Sequence, residues 1–191
     1  TKLAQQYDCC TFTDCNFENA KIGNTTFMEC KFVNCNLSNT QLNVTSFKDV
    51  NFNTCKLMGV NFNDCNTFLL QFNFNNCDLT LASFYQLTIK NTSFISCNLT
   101  EVDFTETDLT NTSFNQSDLS KAIFENTNLE KVNLSEASNF SINPEINKVK
   151  KAQFATHKSA TSCLPYEMPH SLVTTKVGYS LLLLLLHWRA P

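Results

Sequence analysis

The sequence predicts a solenoid of short stacked repeats. Three observations support this: bulky apolar residues recur at every fifth position, small residues recur two positions before them, and the composition favours turns. The 191-residue chain holds 25 Asn and 17 Phe but only three Gly and one Trp. Asn is unfavourable inside helices and common in turns. A chain this rich in Asn and Phe therefore indicates many turns around an apolar stack.

The period of five is the main signal in the chain. Every fifth residue from Tyr7 to Phe62 is bulky and apolar, and after one break the pattern resumes at Leu69 and runs to Leu134, giving 26 units. The residue two positions before each centre is mostly small, and the other three positions are mainly polar. This period fits neither an α-helix nor a flat strand. Because one such coil cannot bury its own apolar side, the coils must stack.

These units resemble the pentapeptide-repeat family, whose pattern is A(D/N)LXX. The resemblance is carried by units such as 97-CNLTE, 107-TDLTN, 117-SDLSK and 127-TNLEK, and it covers about residues 5–139. It implies an all-β fold, a right-handed quadrilateral parallel β-helix with four pentapeptides per coil. In that fold the central residue and the small residue two before it both point inward. The repeat then makes about six to seven coils.

Four pentapeptides per coil place residues 20 apart in one column. The predicted structural core contains an aromatic column and a cysteine column, each with two residues added at the break: Phe12, Phe32, Phe52, Phe74, Phe94 and Phe114, and Cys15, Cys35, Cys55, Cys77 and Cys97. The break near 66–70 is therefore interpreted as a two-residue bulge that keeps the register of the coils.

The cysteines are interpreted as inert core residues. Eight of the ten occupy the small inward position, and Ser117 and Ala137 continue the cysteine column. Ser and Ala at that position indicate a requirement for small size, and a buried free Cys behaves as a small hydrophobe. Two alternatives stay open. Stacked cysteines lie within disulfide range, although a cytoplasmic setting disfavours disulfides, and a metal site would lack a Cys-x-x-Cys pair.

No catalytic residue, cofactor or metal is predicted. All three His follow the repeat, the three Gly are isolated, and the acidic residues occupy outward positions. The sequence therefore predicts that the protein is not an enzyme.

The charge is unevenly distributed along the chain. Residues 1–147 hold eight Lys and sixteen acidic residues, a net charge of −8, whereas residues 148–191 carry a net charge of +5. An acidic repeat disfavours direct nucleic-acid binding, which needs basic residues for the phosphates, and it permits a basic protein partner. The candidate partner-binding residues are Asp103, Glu106, Asp108, Asp118 and Glu125. The alternative is a surface that serves only solubility.

The repeat ends at a helix-start signal. Asn143, Pro144 and Glu145 supply an N-cap residue, a first-turn proline and an acid near the helix dipole, which predicts a short capping helix within 140–155. This segment also resembles the end of quinolone-resistance and microcin-immunity proteins, whose further helical segment forms a homodimer. Residues 156–191 depart from that pattern and include the run Leu181 to Leu186. We interpret them as an atypical tail, either disordered or an artefact, so the homodimer is in doubt.

Two functions follow. The resemblance implies a non-catalytic, DNA-mimicking protein that binds type II topoisomerases such as DNA gyrase and gives resistance to quinolones or immunity to toxins. The alternative is a generic protein-interaction or structural solenoid with an unrelated partner. The first residues show no secretory signal, and the longest apolar run is far shorter than the roughly 20 residues that span a membrane. We therefore expect a cytoplasmic protein without membrane contact.

Overall fold

The structure is a computed structural model that describes residues 6–154. These residues wind into a parallel β-solenoid of about seven turns, which confirms the predicted fold class. Its strands are short because the chain turns a corner after nearly every pentapeptide. They are β1 Gln6–Asp8, β2 Thr11–Thr13, β3 Thr26–Met28, β4 Lys31–Val33, β5 Ser46–Lys48, β6 Val50–Asn53, β7 Phe72–Asn75, β8 Phe94–Ile95, β9 Asn133–Leu134 and β10 Gln153–Phe154, with a 3-10 helix at Phe62–Asp64.

The coils stack in the predicted register. Phe12 pairs with Phe32, and Phe32 with Phe52, so neighbouring coils are 20 residues apart. Phe52 then pairs with Phe74, which confirms the two-residue insertion at the break. The sheets run β1-β3-β5, β2-β4-β6-β7-β8 and β10-β9, and isolated parallel bridges join the remaining coils.

Four faces surround the core, and each is named by its central residues. The first face is centred on Tyr7, Phe27, Phe47, Ile89, Leu109, Leu129 and Val149; the second on Phe12, Phe32, Phe52, Phe74, Phe94, Phe114, Leu134 and Phe154; the third on Phe17, Leu37, Leu57, Leu79, Leu99 and Leu119; and the fourth on Ile22, Leu42, Phe62, Phe84, Phe104 and Phe124. The second and fourth faces lie on opposite sides of the rod.

Stacked aromatic rings fill much of the interior. Phe94 lies 5.1 Å from both Phe74 and Phe114, with nearly parallel rings. It also meets Phe84 and Phe104 of the fourth face edge-on, at 5.7 and 5.9 Å. Because each ring touches the coil on either side, the core is continuous along the rod.

The corners explain why Asn is so common. The residue two after each centre usually adopts a positive φ, and nine of the 25 non-glycine residues that do so are Asn. Asn tolerates this left-handed region better than most residues. Val44 and Thr54 also occupy it, at φ 59 and 54, although β-branched side chains are strained there.

Several Asp and Asn residues that stand directly before a centre have a structural role. The carboxylate of Asp118 accepts the backbone N–H of Ser120 at 3.0 Å and its hydroxyl at 2.7 Å. The same arrangement joins Asp108 to Thr110. These bonds fix the turn that follows each centre. The acidic residues of the repeat therefore contribute to folding as well as to surface charge.

The small inward position is also a hydrogen-bonding position. The Thr107 hydroxyl donates to the Phe84 carbonyl at 2.9 Å, and the Ser117 hydroxyl donates to the Phe94 carbonyl at 3.1 Å. Cys77 does the same, since its thiol donates to the Phe52 carbonyl at 3.4 Å. Small size alone therefore does not explain the frequency of Cys, Thr and Ser here. Each side chain also ties its coil to the preceding one.

The prediction that Leu69 points inward is wrong. Its side chain is 62% exposed at a φ of 58, and the neighbouring Phe68 is 66% exposed. Phe72, which occupies a normally small position, is fully buried instead, with its ring 5.3 Å from Phe62 and 6.4 Å from Phe47. The chain bulges outward at 67–69, while Phe72 and the half-buried Leu70 pack against the core.

The predicted capping helix is also wrong within the described residues. Residues 144–146 form a turn, Lys148 then bridges Asn128, and β10 pairs with β9. Asn143 does accept the Glu145 N–H at 2.9 Å, as a helix cap would. However, ladder bonds to the preceding coil hold the chain in the solenoid, which extends past residue 139 to Phe154. The tail over 156–191 lies outside the described residues.

Candidate protein-interaction face

The cysteines of the described residues offer no reactive thiol or metal site. All nine cysteines within residues 6–154 are free, and no group of three or more His, Cys, Asp or Glu in that range could hold a metal ion. Burial raises the pKa of Cys35 to about 11. The exposed Cys9 also has a pKa raised to about 11, because its thiol bonds to the Asp8 carboxylate and Glu29 lies nearby. Thiols with such pKa values are poor nucleophiles near neutral pH.

From residue 41 onward, one face of the rod carries acidic residues and no basic residue; the one Lys on this face, Lys21, lies in an earlier coil. We call it the acidic face and define it as residues 41–44, 61–64, 83–86, 103–106, 123–126 and 143–146 of the fourth face and its following corner. It contains no Lys or Arg, and its acids are Asp64, Asp103, Glu106, Glu125 and Glu145. The nearest Lys of the preceding corner, Lys121, is paired with Glu101 at 3.0 Å. The charge of this face is therefore of one sign.

The acidic face also exposes large apolar side chains. Val44, Tyr85, Ile123 and Ile146 all lie on it with more than a third of their surface exposed. Four of the nine exposed large apolar residues of the described chain are thus on one face. A surface that combines one sign of charge with exposed apolar groups has the composition of a protein-binding surface.

The opposite side of the rod is uncharged over its middle coils, although Asp14 and Lys31 lie on it in the first two coils and Glu136 at a later corner. We call residues 51–54, 73–76, 93–96, 113–116 and 133–135 of the second face the neutral face; they contain no charged residue. A shallow groove there is lined by Asn51, Asn73, Asn75, Ser93 and Ile95, together with the edges of two Phe rings. Asn73 accepts the Ser93 N–H at 3.0 Å and donates to Asn51 at 3.4 Å. These amides bond mainly to one another, so the two opposite faces differ sharply in character.

The structure brings only part of the predicted partner-binding set together. Asp103, Glu106 and Glu125 lie on the acidic face. Asp108 begins the first face, two residues beyond Glu106, and Asp118 lies on the third face. The five residues therefore do not form one surface, and Asp118 is separated from the rest.

Hydrogen bonds further distinguish these acids. Burial alone would raise the pKa of Asp108, but hydrogen bonds from Thr110 and the ion pair with Lys90 at 3.1 Å hold that pKa below its usual value. Burial is likewise outweighed at Asp118, whose pKa is lowered by hydrogen bonds from Asn139 and Ser120. Both carboxylates are engaged in holding the coils and turns.

Sequence reasoning missed six residues of the acidic face: Asp64, Glu145, Val44, Tyr85, Ile123 and Ile146. The signal was available, because the 20-residue columns that align the inward residues also align the outward ones. Applied to outward positions, with two residues added at the break, the same columns place these six on one side of the rod.

The predicted core residues lie inside the solenoid. Phe32, Phe52, Phe74, Phe94 and Phe114 are buried, as are Cys35, Cys55, Cys77 and Cys97. Phe12 and Cys15 are half-buried because they belong to the first described coil, which has a neighbouring coil on one side only.

Comparison with protein families identifies the fold. A family model described as a pentapeptide repeat region matches residues 6–73, and one described as pentapeptide repeats, with eight copies, matches residues 97–135. The chain belongs to the pentapeptide-repeat family. A comparison with curated proteins finds no match.

Solved structures of this family share the fold. Two trypsin-treated forms of QnrB1, a plasmid-mediated fluoroquinolone resistance protein, each match at 14% identity with a TM-score of 0.58. The matches cover 78% of this chain and 83% and 82% of those chains. HetL, a pentapeptide-repeat protein involved in heterocyst differentiation regulation from a Nostoc cyanobacterium, matches at 13% identity over 78% of this chain and 86% of its own, with a TM-score of 0.31. At 14% identity the likeness to QnrB1 shows the fold alone.

One further finding concerns membranes. Within residues 6–154, none of the helices has the length and apolar character needed to cross a bilayer.

Proposed function

We propose that this pentapeptide-repeat protein is a non-catalytic binding protein that engages a type II topoisomerase such as DNA gyrase and so gives resistance to quinolones or to a topoisomerase-directed toxin. The observation that carries the proposal is the acidic face, which has five carboxylates and no basic residue. The likeness of the rod to QnrB1 supports the choice of partner. The protein acts in the cytoplasm, where such a partner is found.

The physical basis is competition for a basic surface. An enzyme that binds DNA must present Lys and Arg to the phosphates. A rigid rod with one acidic side is attracted to the same groups, and its field steers the encounter. The described residues hold ten Lys against sixteen acids, a net charge of −6, so long-range attraction to a basic partner is favourable.

A second candidate is an interaction solenoid with an unrelated partner. The neutral face favours it, because a flat, uncharged array of Asn and Ser is not explained by binding to a basic surface. A solenoid can carry different functions on different faces.

A supercoiling assay tests the first proposal. Purified protein is added to DNA gyrase and relaxed plasmid, with and without a quinolone, and enzyme binding is measured in parallel. We expect the protein to alter supercoiling or to raise the quinolone concentration needed for half inhibition. The test variant combines Asp103→Asn, Glu106→Gln and Glu125→Gln; the control combines Glu130→Gln and Glu136→Gln, two acids outside the acidic face.

The outcomes separate the two candidates. Loss of the effect in the acidic-face variant with retention in the control supports the topoisomerase proposal. If the unmodified protein neither binds gyrase nor changes supercoiling or drug sensitivity, that proposal is rejected and the unrelated partner is favoured.

A further inference from the structure

The charge on the acidic face is too sparse to replace duplex DNA by itself. Its carboxylates run from Asp64 to Glu145, which lie four coil steps apart. At about 4.8 Å per step this length is roughly 19 Å. Duplex DNA carries one charge per about 1.7 Å, or about eleven over the same length. The acidic face, with five acids, carries less than half of that density.

Some of these carboxylates are also engaged within the protein. Asp103 accepts the Thr105 N–H at 2.9 Å, and Glu106 accepts the amide of Gln86 at 2.7 Å. The Glu125 side chain makes no hydrogen bond to residues 6–154. The side chains of Asp64 and Glu145 likewise make no hydrogen bond there, so a partner finds three unengaged carboxylates along the face, too few for charge alone to account for stable binding.

Two apolar residues lie among these acids. Ile123 is 44% exposed and bridges Asp103 of the preceding coil, while Tyr85 is 37% exposed and lies one coil before Thr105 on the same face. The repeat does not require an apolar side chain at either position. The column of Ile123 otherwise holds Lys21, Gln41, Asn61, Ser83, Asp103 and Asn143, and the column of Tyr85 otherwise holds Gly23, Asn43, Asn63, Thr105, Glu125 and Glu145.

We infer that the acidic face docks on a protein surface with an apolar centre and a basic rim, and that Tyr85 and Ile123 are its anchors. This rests on the proposed function. Protein interfaces concentrate their binding energy in a few well-packed residues, among which Tyr is frequent, and surround them with a polar rim. The carboxylates raise the association rate and orient the partner, whereas the two apolar side chains set the dissociation rate.

Binding kinetics on immobilised DNA gyrase test this division of roles. The anchor variant combines Tyr85→Thr and Ile123→Ser, because Thr105 stands in the column of Tyr85 and Ser83 in the column of Ile123. We expect its dissociation rate to rise at least tenfold while its association rate changes by less than about twofold. The charge variant, with Asp103→Asn, Glu106→Gln and Glu125→Gln, should associate more slowly and depend less on salt.

Ile95→Asn is the matched control. Ile95 is 40% exposed, close to the exposure of Ile123, but lies on the neutral face, and Asn occupies its column in neighbouring coils. It should bind with wild-type rates. Urea unfolding verifies that each variant folds. If the anchor variant with both substitutions does not fold, the dissociation rate of the single Ile123→Ser variant is measured instead.

Each outcome has one meaning. If wild-type protein fails to bind gyrase, the proposed function and this inference both fall. If it binds but the anchor variant keeps the wild-type dissociation rate, only the inference is overturned. An equal loss with Ile95→Asn also overturns it, because the acidic face would then not be the docking surface.

Discussion

Replacing Phe72 with Val distinguishes the structure from the repeat pattern. By the pattern, position 72 is a small inward position, and Val50 occupies it one coil earlier. The repeat pattern therefore predicts that Phe72→Val leaves the free energy of unfolding unchanged or raises it. In the structure the ring of Phe72 is fully buried among four other aromatic rings, so the same change should create a cavity.

The expected magnitude follows from the contacts of the ring. Phe72 is fully buried and lies between 5.2 and 6.4 Å from the rings of Phe47, Phe62, Phe74 and Phe84. Full truncation of a buried Phe costs about 3–5 kcal/mol. Val refills part of the volume but removes all four aromatic contacts, so we expect the free energy of unfolding to fall by about 2–4 kcal/mol.

Leu69→Asn is the reciprocal variant. The pattern treats Leu69 as a central core residue, whose loss would cost about 2–5 kcal/mol. In the structure Leu69 is exposed at a positive φ that Asn tolerates better, so we expect a gain of about 0.5–1 kcal/mol. Urea unfolding followed by far-UV circular dichroism measures both. A stable Phe72→Val together with a destabilised Leu69→Asn would refute the reasoning.

Two further predictions concern titratable groups. The exposed Cys9 should react with iodoacetamide at pH 8 far more slowly than a free thiol, because the Asp8 carboxylate is the main cause of its raised pKa. Asp8→Asn should therefore accelerate the reaction of Cys9. An unchanged alkylation rate in this variant would contradict the role of Asp8. Burial would raise the pKa of Asp108, but hydrogen bonds from Thr110 and the ion pair with Lys90 outweigh it and lower that pKa. The ionised carboxylate therefore stabilises the folded state. This stabilisation is fully present above the ordinary carboxyl pKa and is lost as the pH falls through the lowered pKa. Asp108→Asn should therefore lower the urea midpoint at pH 6 but not near pH 2, and an equal deficit at both pH values would count against that role.

The regular part of the fold was predictable because the repeat is redundant. Each inward position recurs in nearly every coil, so one misread unit does not change the periodicity. The register across the break was predictable as well, since the aromatic column from Phe12 to Phe114 aligns only when two residues are added. The repeat could not predict the structure at the break. There, whether Leu69 or Phe72 is buried depends on which side chain packs between the aromatic rings of neighbouring coils.

The end of the repeat shows the same limit. The signal at Asn143 was interpreted as the start of a helix, and only its capping bond is present, since Asn143 accepts the Glu145 N–H. Whether such a turn continues as a helix depends on competing partners. Here Asn147 is buried, accepts the Thr127 N–H at 2.8 Å and donates to the Phe124 carbonyl at 2.8 Å, so the preceding coil holds the chain in the solenoid.

The sequence predicted that large residues at steps of five turn inward, because apolar burial favours that periodicity, and this failed only at Leu69, at the break. Its resemblance to the pentapeptide-repeat family implied coils that stack 20 residues apart. Only the tertiary structure decided which outward residues share a side of the rod. It joined Tyr85, Asp103 and Ile123 on the acidic face and separated Asp118 from them, because neighbours on a solenoid are set by stacking between coils and not by distance along the chain.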